Sequence, residues 1–203
     1  MENKISTSPT SQKESLGAKM LVPMGLIVLV GAKVDNKPNY NTLGNFGNLQ
    51  SNPPTIYVAM DPEHYTFRGI LQNMTFSVNI PSKYLVQETD YCGLVSGHKV
   101  DKSKVFTTFY GVLNTAPMIL ECPLNFECKV NNELSHLNKG IVAGEVKEVY
   151  CNRNITSINE NNEKIPDIAQ IPLLFCSILD LNYWILKEPI AKAFSVGKNY
   201  KRS

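Results

Sequence analysis

Little charge of one sign is left over in this chain. Its 20 basic residues stand against 18 acidic ones, a formal net charge of +2. The basic residues scatter, apart from a short Lys99-Val100-Asp101-Lys102-Ser103-Lys104 cluster and a Lys198 to Arg202 tail. A phosphate backbone calls for a contiguous basic face, so nucleic acid is not an expected partner. Membrane-length apolar runs are missing as well. Leu21 to Ala32, LVPMGLIVLVGA, is too short to span a bilayer, is interrupted by Pro23, and lacks a small-x-small cleavage pattern. It reads as a buried strand, and no membrane partner is expected. The five cysteines, Cys92, Cys122, Cys128, Cys151 and Cys176, are odd in number and form no CxxC pair. Neither a zinc site nor a disulfide framework is indicated, and no metal is expected. Most of them sit in apolar, strand-like sequence as small buried hydrophobes, which favours a reducing cytoplasm. The sequons at Asn73 and Asn154 then carry no weight. There is no GxGxxG after a strand, no GxxxxGK[ST], no HExxH and no GxSxG, so the common dinucleotide, nucleotide, zinc-protease and hydrolase signatures are all absent.

What is present suits one large domain. At 203 residues, with 43% hydrophobic and 19% charged residues, the chain can bury a sizeable core. Residues 1–16 are rich in Ser, Thr, Asn and Lys and read as a flexible leader, leaving 17–203 as a single domain. Leu26 to Val34 is strand-forming and runs into Asp35-Asn36-Lys37-Pro38, a turn by composition, so a hairpin into 39–49 is expected. Tyr65 to Asn73 reads as a short helix with Phe67, Ile70 and Leu71 inward, and Phe76 to Ile80 as a strand. Ser82 is a candidate N-cap for a helix that stops near Cys92-Gly93, and 93–114 reads as an exposed loop. Met118 to Val130 alternates, with Asn125, Glu127 and Lys129 on the polar side of a half-buried strand, and Gly140 to Cys151 does likewise. Asn152 to Lys164 is a polar insertion, and Ile171 to Leu186 is apolar and carries the one tryptophan, Trp184. Many strands and few helices point to a mainly β fold, a closed or partly closed barrel.

One stretch stands out for function: Asn39 to Thr66, NYNTLGNFGNLQSNPPTIYVAMDPEHYT. Polar, flexible residues around Thr42, Gly44 and Gly47 lead through Pro53-Pro54 into the strand-like Thr55 to Met60. The turn Asp61 to Thr66 then offers hydroxyls, an imidazole and free backbone N–H groups just before a helical pattern, where a phosphate is favoured.

The order and spacing of further motifs resemble the flavin reductase-like family, and within it the flavoredoxin-type branch. They are Asn39-Tyr40-Asn41-Thr42, Ser51-Asn52-Pro53-Pro54, His64-Tyr65-Thr66, Phe76 to Pro81, Asp90 to Gly97 with Val100-Asp101-Lys102, Phe126 to Val130, Gly144-Glu145-Val146, Tyr183-Trp184 and Ala193 to Lys198. The likeness spans roughly residues 17 to 200. It implies an FMN-binding split β-barrel that forms a homodimer, with FMN near the subunit interface. For the phosphate it implies His64, Thr66 and Lys102, the lysine adding charge to the hydroxyl and N–H donors of the helix start. For the ring it implies Asn41, Thr42, Leu43, Gly44 and Asn45, with Ser51, Asn52 and Pro53, because the flavin edge needs donors and acceptors in one plane. Cys92, Gly93, Ser96 and Gly97 match a segment that closes over the cofactor, Cys92 as packing and not as redox chemistry. Two departures stand out: Asn45, followed by Phe46, where relatives carry tryptophan, and a surplus at Leu137-Asn138-Lys139 that unsettles the place of His136.

The function implied is that of a cytoplasmic FMN-dependent oxidoreductase or electron-transfer flavoprotein, reduced by NAD(P)H at a flavin near the dimer interface. The chemistry is carried by FMN, so no catalytic side chain is expected. The alternatives are an electron carrier reduced by a partner protein and a non-catalytic FMN-binding module.

Overall fold

The computed structural model describes residues 13–198 and 200. Residues 1–12 of the expected leader, and most of the basic tail, lie outside the described residues. Residues 13–16 are exposed and belong to no helix or strand.

Seven strands form the main sheet: β2 (Val28–Val34), β3 (Lys37–Leu43), β4 (Phe46–Ser51), β5 (Pro54–Ala59), β6 (Thr75–Ile80), β9 (Leu124–Val130) and β10 (Ile141–Cys151). Their spatial order is β3-β2-β6-β9-β10-β5-β4, every described pairing being antiparallel. The two edge strands, β3 and β4, are consecutive in the chain and joined only by Gly44 and Asn45. Two residues cannot cross a flat sheet of seven strands, so the sheet must curl until its edges meet. The edges meet without forming a ladder, which leaves the barrel split along that seam. A three-stranded sheet and two strand pairs complete the described β structure: β1 (Gly25–Leu26) with β13 (Leu174–Ser177) and β14 (Asn182–Ile185) in the order β1-β13-β14, β7 (Thr108–Phe109) with β8 (Met118–Ile119), and β11 (Thr156–Ile158) with β12 (Lys164–Pro166). Helices α1 (Tyr65–Asn73) and α2 (Val86–Leu94) pack on the outside.

Both faces of the central strands are covered. Val28, Val30 and Ala32 on β2 join Phe76, Val78, Cys128 and Val142 inside the barrel. Leu29, on the opposite face, joins Tyr40, Cys92, Phe106, Ile119 and Cys122 beneath α2 and the 103–122 segment. That is why β2 is a near-continuous apolar run without alternation. The β2–β3 hairpin turns at Asp35 and Asn36, both at positive φ, as the turn composition predicts.

Several expectations need correction. The buried strand begins at Val28, since Leu21, Val22 and Met24 are exposed. The expected hairpin into 39–49 forms, but the stretch around Thr42, Gly44 and Gly47 read as flexible is strand on either side of the Gly44-Asn45 link, β3 ending at Leu43 and β4 starting at Phe46. Helix α1 has the expected bounds, with Phe67 and Ile70 buried, yet Leu71 faces outward. Ser82 makes no side-chain cap; it precedes a 3-10 turn, Lys83–Leu85, and α2 then runs to Leu94. Strand β9 is not half-buried, because Asn125 and Glu127 are both inside. The Glu127 carboxylate accepts from the backbone N–H groups of Gly111, Val112 and Leu113 at 3.0, 2.8 and 3.1 Å, folding that loop over the strand's polar face. Asn79 does the same for β6, accepting from Ile119 N–H and Asn125 while donating to Leu29 O. Buried polar groups in these strands are thus paired, as burial requires. Among the described residues no helix is long and apolar enough to cross a membrane, and no group of three or more His, Cys, Asp or Glu side chains could hold a metal ion.

Candidate functional site

The N-terminus of α1, the C-terminal end of α2 and the middle of β3 enclose a cavity of about 140 Å³. Its wall includes seven of the residues singled out from the sequence: Asn41, His64, Thr66, Gly93, Ser96, Gly97 and Lys102. Residues up to 61 positions apart therefore meet at one place. Two members that the sequence reading missed are Asn39 and Tyr65. Asn39 and Asn41 are two positions apart on β3 and so face the same side, which is the signal that could have found the first.

The hydrogen bonds orient the wall toward an acceptor. Asn39 Nδ2 donates to Thr66 Oγ1 at 2.6 Å, so the Thr66 hydroxyl keeps its own proton for another group. Asn41 Nδ2 lies 3.1 Å from His64 Nδ1. An amide nitrogen can only donate, so Nδ1 accepts and the imidazole proton sits on Nε2. Phe67 N–H donates to His64 O at 2.9 Å, which leaves the N–H groups of Tyr65 and Thr66 at the start of α1 without an intrahelical acceptor, and His64 supplies no side-chain cap.

Lys102 is the decisive member. It belongs to the basic cluster expected to be exposed, yet it is only 2% exposed. Its Nζ donates to Cys92 O at 2.8 Å and to Tyr40 O at 3.1 Å, tying α2 to β3. An ammonium has three N–H donors, so one remains. None of the ion pairs among the described residues involves it. Burial pushes its pKa below the ordinary lysine value. A buried cation without a counter-charge is costly, and an anion in the adjoining cavity would remove that cost. The chemistry of this wall, donors and one unpaired ammonium, fits a phosphate group.

The other candidates lie elsewhere. Thr42 Oγ1 donates to Thr89 O at 2.5 Å and pins β3 against α2. Leu43 is part of the barrel core. Gly44 and Asn45 form the exposed link from β3 to β4, and the exposed turn from Ser51, the last residue of β4, through Asn52 and Pro53 leads into β5. That turn is six residues beyond Asn45, about 20 Å along an extended strand. Phe46 is half-buried against the barrel core beside Asn45. His136 lies outside the cavity, before a short 3-10 turn over Leu137–Lys139.

Cys92 touches the site only through its carbonyl, and its thiol is buried. Burial pushes that thiol up to about 11, against a smaller opposite pull from Lys102, so it stays protonated at neutral pH. Cys122 and Cys128 are also buried with raised values, again through burial. Iodoacetamide at pH 8 is therefore expected to label the half-buried Cys151 and Cys176 first and to leave Cys92, Cys122 and Cys128 unmodified until the protein is unfolded. Peptide mass spectrometry checks this, and rapid labelling of Cys92 in the folded protein would contradict its packing role.

A barrel split between consecutive strands, with a polar cavity where two outer helices meet its edge, defines the class. The model of the flavin reductase like domain matches residues 22–176. The chain belongs to that family, and its fold is the family's split barrel. Its structure is similar to that of a flavoredoxin from Methanosarcina acetivorans, with 38% identity, TM-score 0.82, and 92% of this chain and 97% of the other covered. It is also similar to the flavoredoxin of Desulfovibrio vulgaris (Miyazaki F), with 31% identity, TM-score 0.81, and 92% and 100% covered. An FMN-binding protein from Thermus thermophilus, solved with 1-cyclohex-2-enone, shares the fold at 20% identity and TM-score 0.72, with 89% and 100% covered. No curated protein sequence matches the chain.

Proposed function

We propose that this protein binds FMN and works as an electron-transferring oxidoreductase of the cytoplasm. The observation that carries the reading is the buried ammonium of Lys102, which has no ion-pair partner among the described residues, in a cavity whose wall also carries His64, Thr66 and Ser96. Lys102, Thr66, His64, Ser96 and the N–H groups at the start of α1 hold the phosphate, and Gly97 lets the loop approach it closely. Thr42 to Asn45, at the end of β3, lie along the ring. Bound flavin supplies hydride and one-electron chemistry, so the chain's own work is to bind, orient and shield it. Similarity to two flavoredoxins supports the electron-transfer role.

The chain works as a homodimer. Leu179, Leu181, Trp184 and Leu186 are exposed on and around the β13–β14 hairpin, an apolar surface that a second copy covers. Ser51, Asn52 and Pro53, which do not line the cavity of their own chain, then come from the second copy, so each flavin is touched by both.

Purified protein is expected to be yellow, and NADH or NADPH added anaerobically to bleach the flavin. Bleaching identifies a reductase for which NAD(P)H is the donor. Reduction only by a partner protein or dithionite identifies an electron carrier. Failure to bind flavin at all overturns the proposal. Sedimentation as a monomer with full flavin would sink the shared site while leaving FMN binding intact.

A further inference from the structure

Beyond Tyr183 the chain stops burying anything. Residues 184–194 are all exposed, Ile190 and Phe194 completely, and Val196 is exposed as well. After β14 no further helix or strand forms among the described residues. Backbone bonds from Val196 N–H to Lys192 O and from Lys198 N–H to Ser195 O close turns instead. An ion pair from Lys192 to Glu160, at 2.7 Å, ties this arm to its own chain, but both side chains are mostly exposed and the pair is weak. Single apolar residues in water are ordinary, whereas Ile190, Phe194 and Val196 on one short arm make a surface that another body covers.

Helix α2 carries a groove that matches it, of about 470 Å³. Tyr91, Leu94 and Val105 make its lining largely apolar, and Gln87, Glu88 and Asp90 add polar groups and negative charge. None of the ion pairs among the described residues takes up Glu88 or Asp90, nor Lys187 or Lys198 on the arm. On the arm Lys187, Lys192 and Lys198 outweigh Glu188. Arm and groove are thus complementary twice over, apolar against apolar and basic against acidic. Tyr183 OH donates to Asp90 Oδ1 at 2.8 Å, which sets β14 beside the groove. The apolar surface proposed to meet a second copy, around Leu181, Trp184 and Leu186, is therefore continuous with it. Nine residues lead from Ile185 to Phe194, enough for about 30 Å of extended chain, so the arm of a copy seated on that surface has the length to reach its neighbour's groove.

Resting on the homodimer proposed above, we infer that the two copies exchange arms, residues 189–198 of each lying in the α2 groove of the other. Phe194 packs against Tyr91, Leu94 and Val105, and the arm's lysines meet Glu88 and Asp90. The exchange completes the flavin site. Leu94 lines both the groove and the phosphate cavity, and in the single chain it is 77% exposed. Residues 93–97, at the same end of α2, all line that cavity, so an arm lying on Leu94 holds this wall in place.

Photo-crosslinking tests the placement. Full-length protein with benzoylphenylalanine in place of Phe194 is prepared in isotopically light and heavy forms, mixed until subunits exchange, irradiated and digested with trypsin. Cross-links from a light chain to the 84–99 peptide of a heavy one, which contains most of α2, are expected. Cross-links confined to one chain, or to other peptides, would overturn the arm exchange and leave the dimer standing. Sedimentation of the wild type as a monomer would overturn the dimer, and this extension with it. Neither readout depends on bound flavin. The arm's part in the site is read by ending the chain at Glu188, which leaves every described helix and strand in place. FMN affinity is then expected to fall about 10-fold, and about 3-fold in full-length Glu88→Lys, a residue outside the phosphate cavity. Unchanged FMN affinity in the shortened chain would overturn the claim that the arm completes the site.

Discussion

Replacing Lys102 with alanine is expected to weaken FMN about 10- to 100-fold while leaving riboflavin far less affected, because one charge-assisted contact to a phosphate is worth about 1.5 to 3 kcal/mol. Riboflavin has the same ring and no dianion. Burial sharpens the expectation in two ways. Bulk salt screens a 2%-exposed ammonium poorly, so the FMN loss should persist at high ionic strength. The substitution also strands Cys92 O and Tyr40 O, which now accept from Nζ, at about 1–3 kcal/mol for each group left unpaired. Relief of the buried charge offsets part of that, but the lost packing of the lysine stem adds to it. Urea unfolding of flavin-free protein should therefore show a stability loss of about 2–4 kcal/mol. Equal losses of affinity for FMN and riboflavin would mean that Lys102 supports the fold or the ring and that the phosphate lies elsewhere.

Gly97→Ala should be nearly as damaging to binding and much less so to the fold. A Cβ at this position would lie 2.6 Å from Asn39 Oδ1, 2.6 Å from Tyr65 Cδ1 and 3.0 Å from Tyr65 Cβ. Neither neighbour can retreat freely, since Asn39 is held by Thr66 and Tyr65 begins α1. The 95–98 loop must move off the cavity, at a cost of about 1–3 kcal/mol. Paid from binding, that is about 10- to 100-fold in FMN affinity. Gly93→Ala is the matched control. Its Cβ would meet Thr42 Cβ at 3.4 Å, an ordinary contact, and alanine favours the helix it sits in. Flavin titration and thermal unfolding of both variants separate the two cases. Near-wild-type FMN binding by Gly97→Ala would show that the loop does not close on the cofactor.

Elements whose residues bury one another locally were open to reading from the chain. Helix α1 over Tyr65–Asn73, the strands around Val58, Val78 and Val146, and the Asp35-Asn36 turn each follow from local periodicity or backbone preference. So did the donors at the start of α1, because a helix N-terminus presents its N–H groups whatever the rest of the chain does. Resemblance added Lys102, Ser96 and Gly97, which no local pattern distinguishes from a solvated loop.

Local pattern could not reveal burial imposed from a distance. Asn39 and Asn41 look like loop residues because their polar side chains find partners only when Thr66 and His64 arrive from α1. Asn125 and Glu127 look solvent-facing until the 111–119 segment folds over them. Lys102 looks like any surface lysine until the carbonyls of residues 40 and 92 close around it. The chain alone determined a mainly β domain with a phosphate-ready helix start. Only the tertiary structure decided that an ammonium would be buried there with no carboxylate partner among the described residues, since desolvation is a property of everything packed around a group and not of its neighbours in sequence.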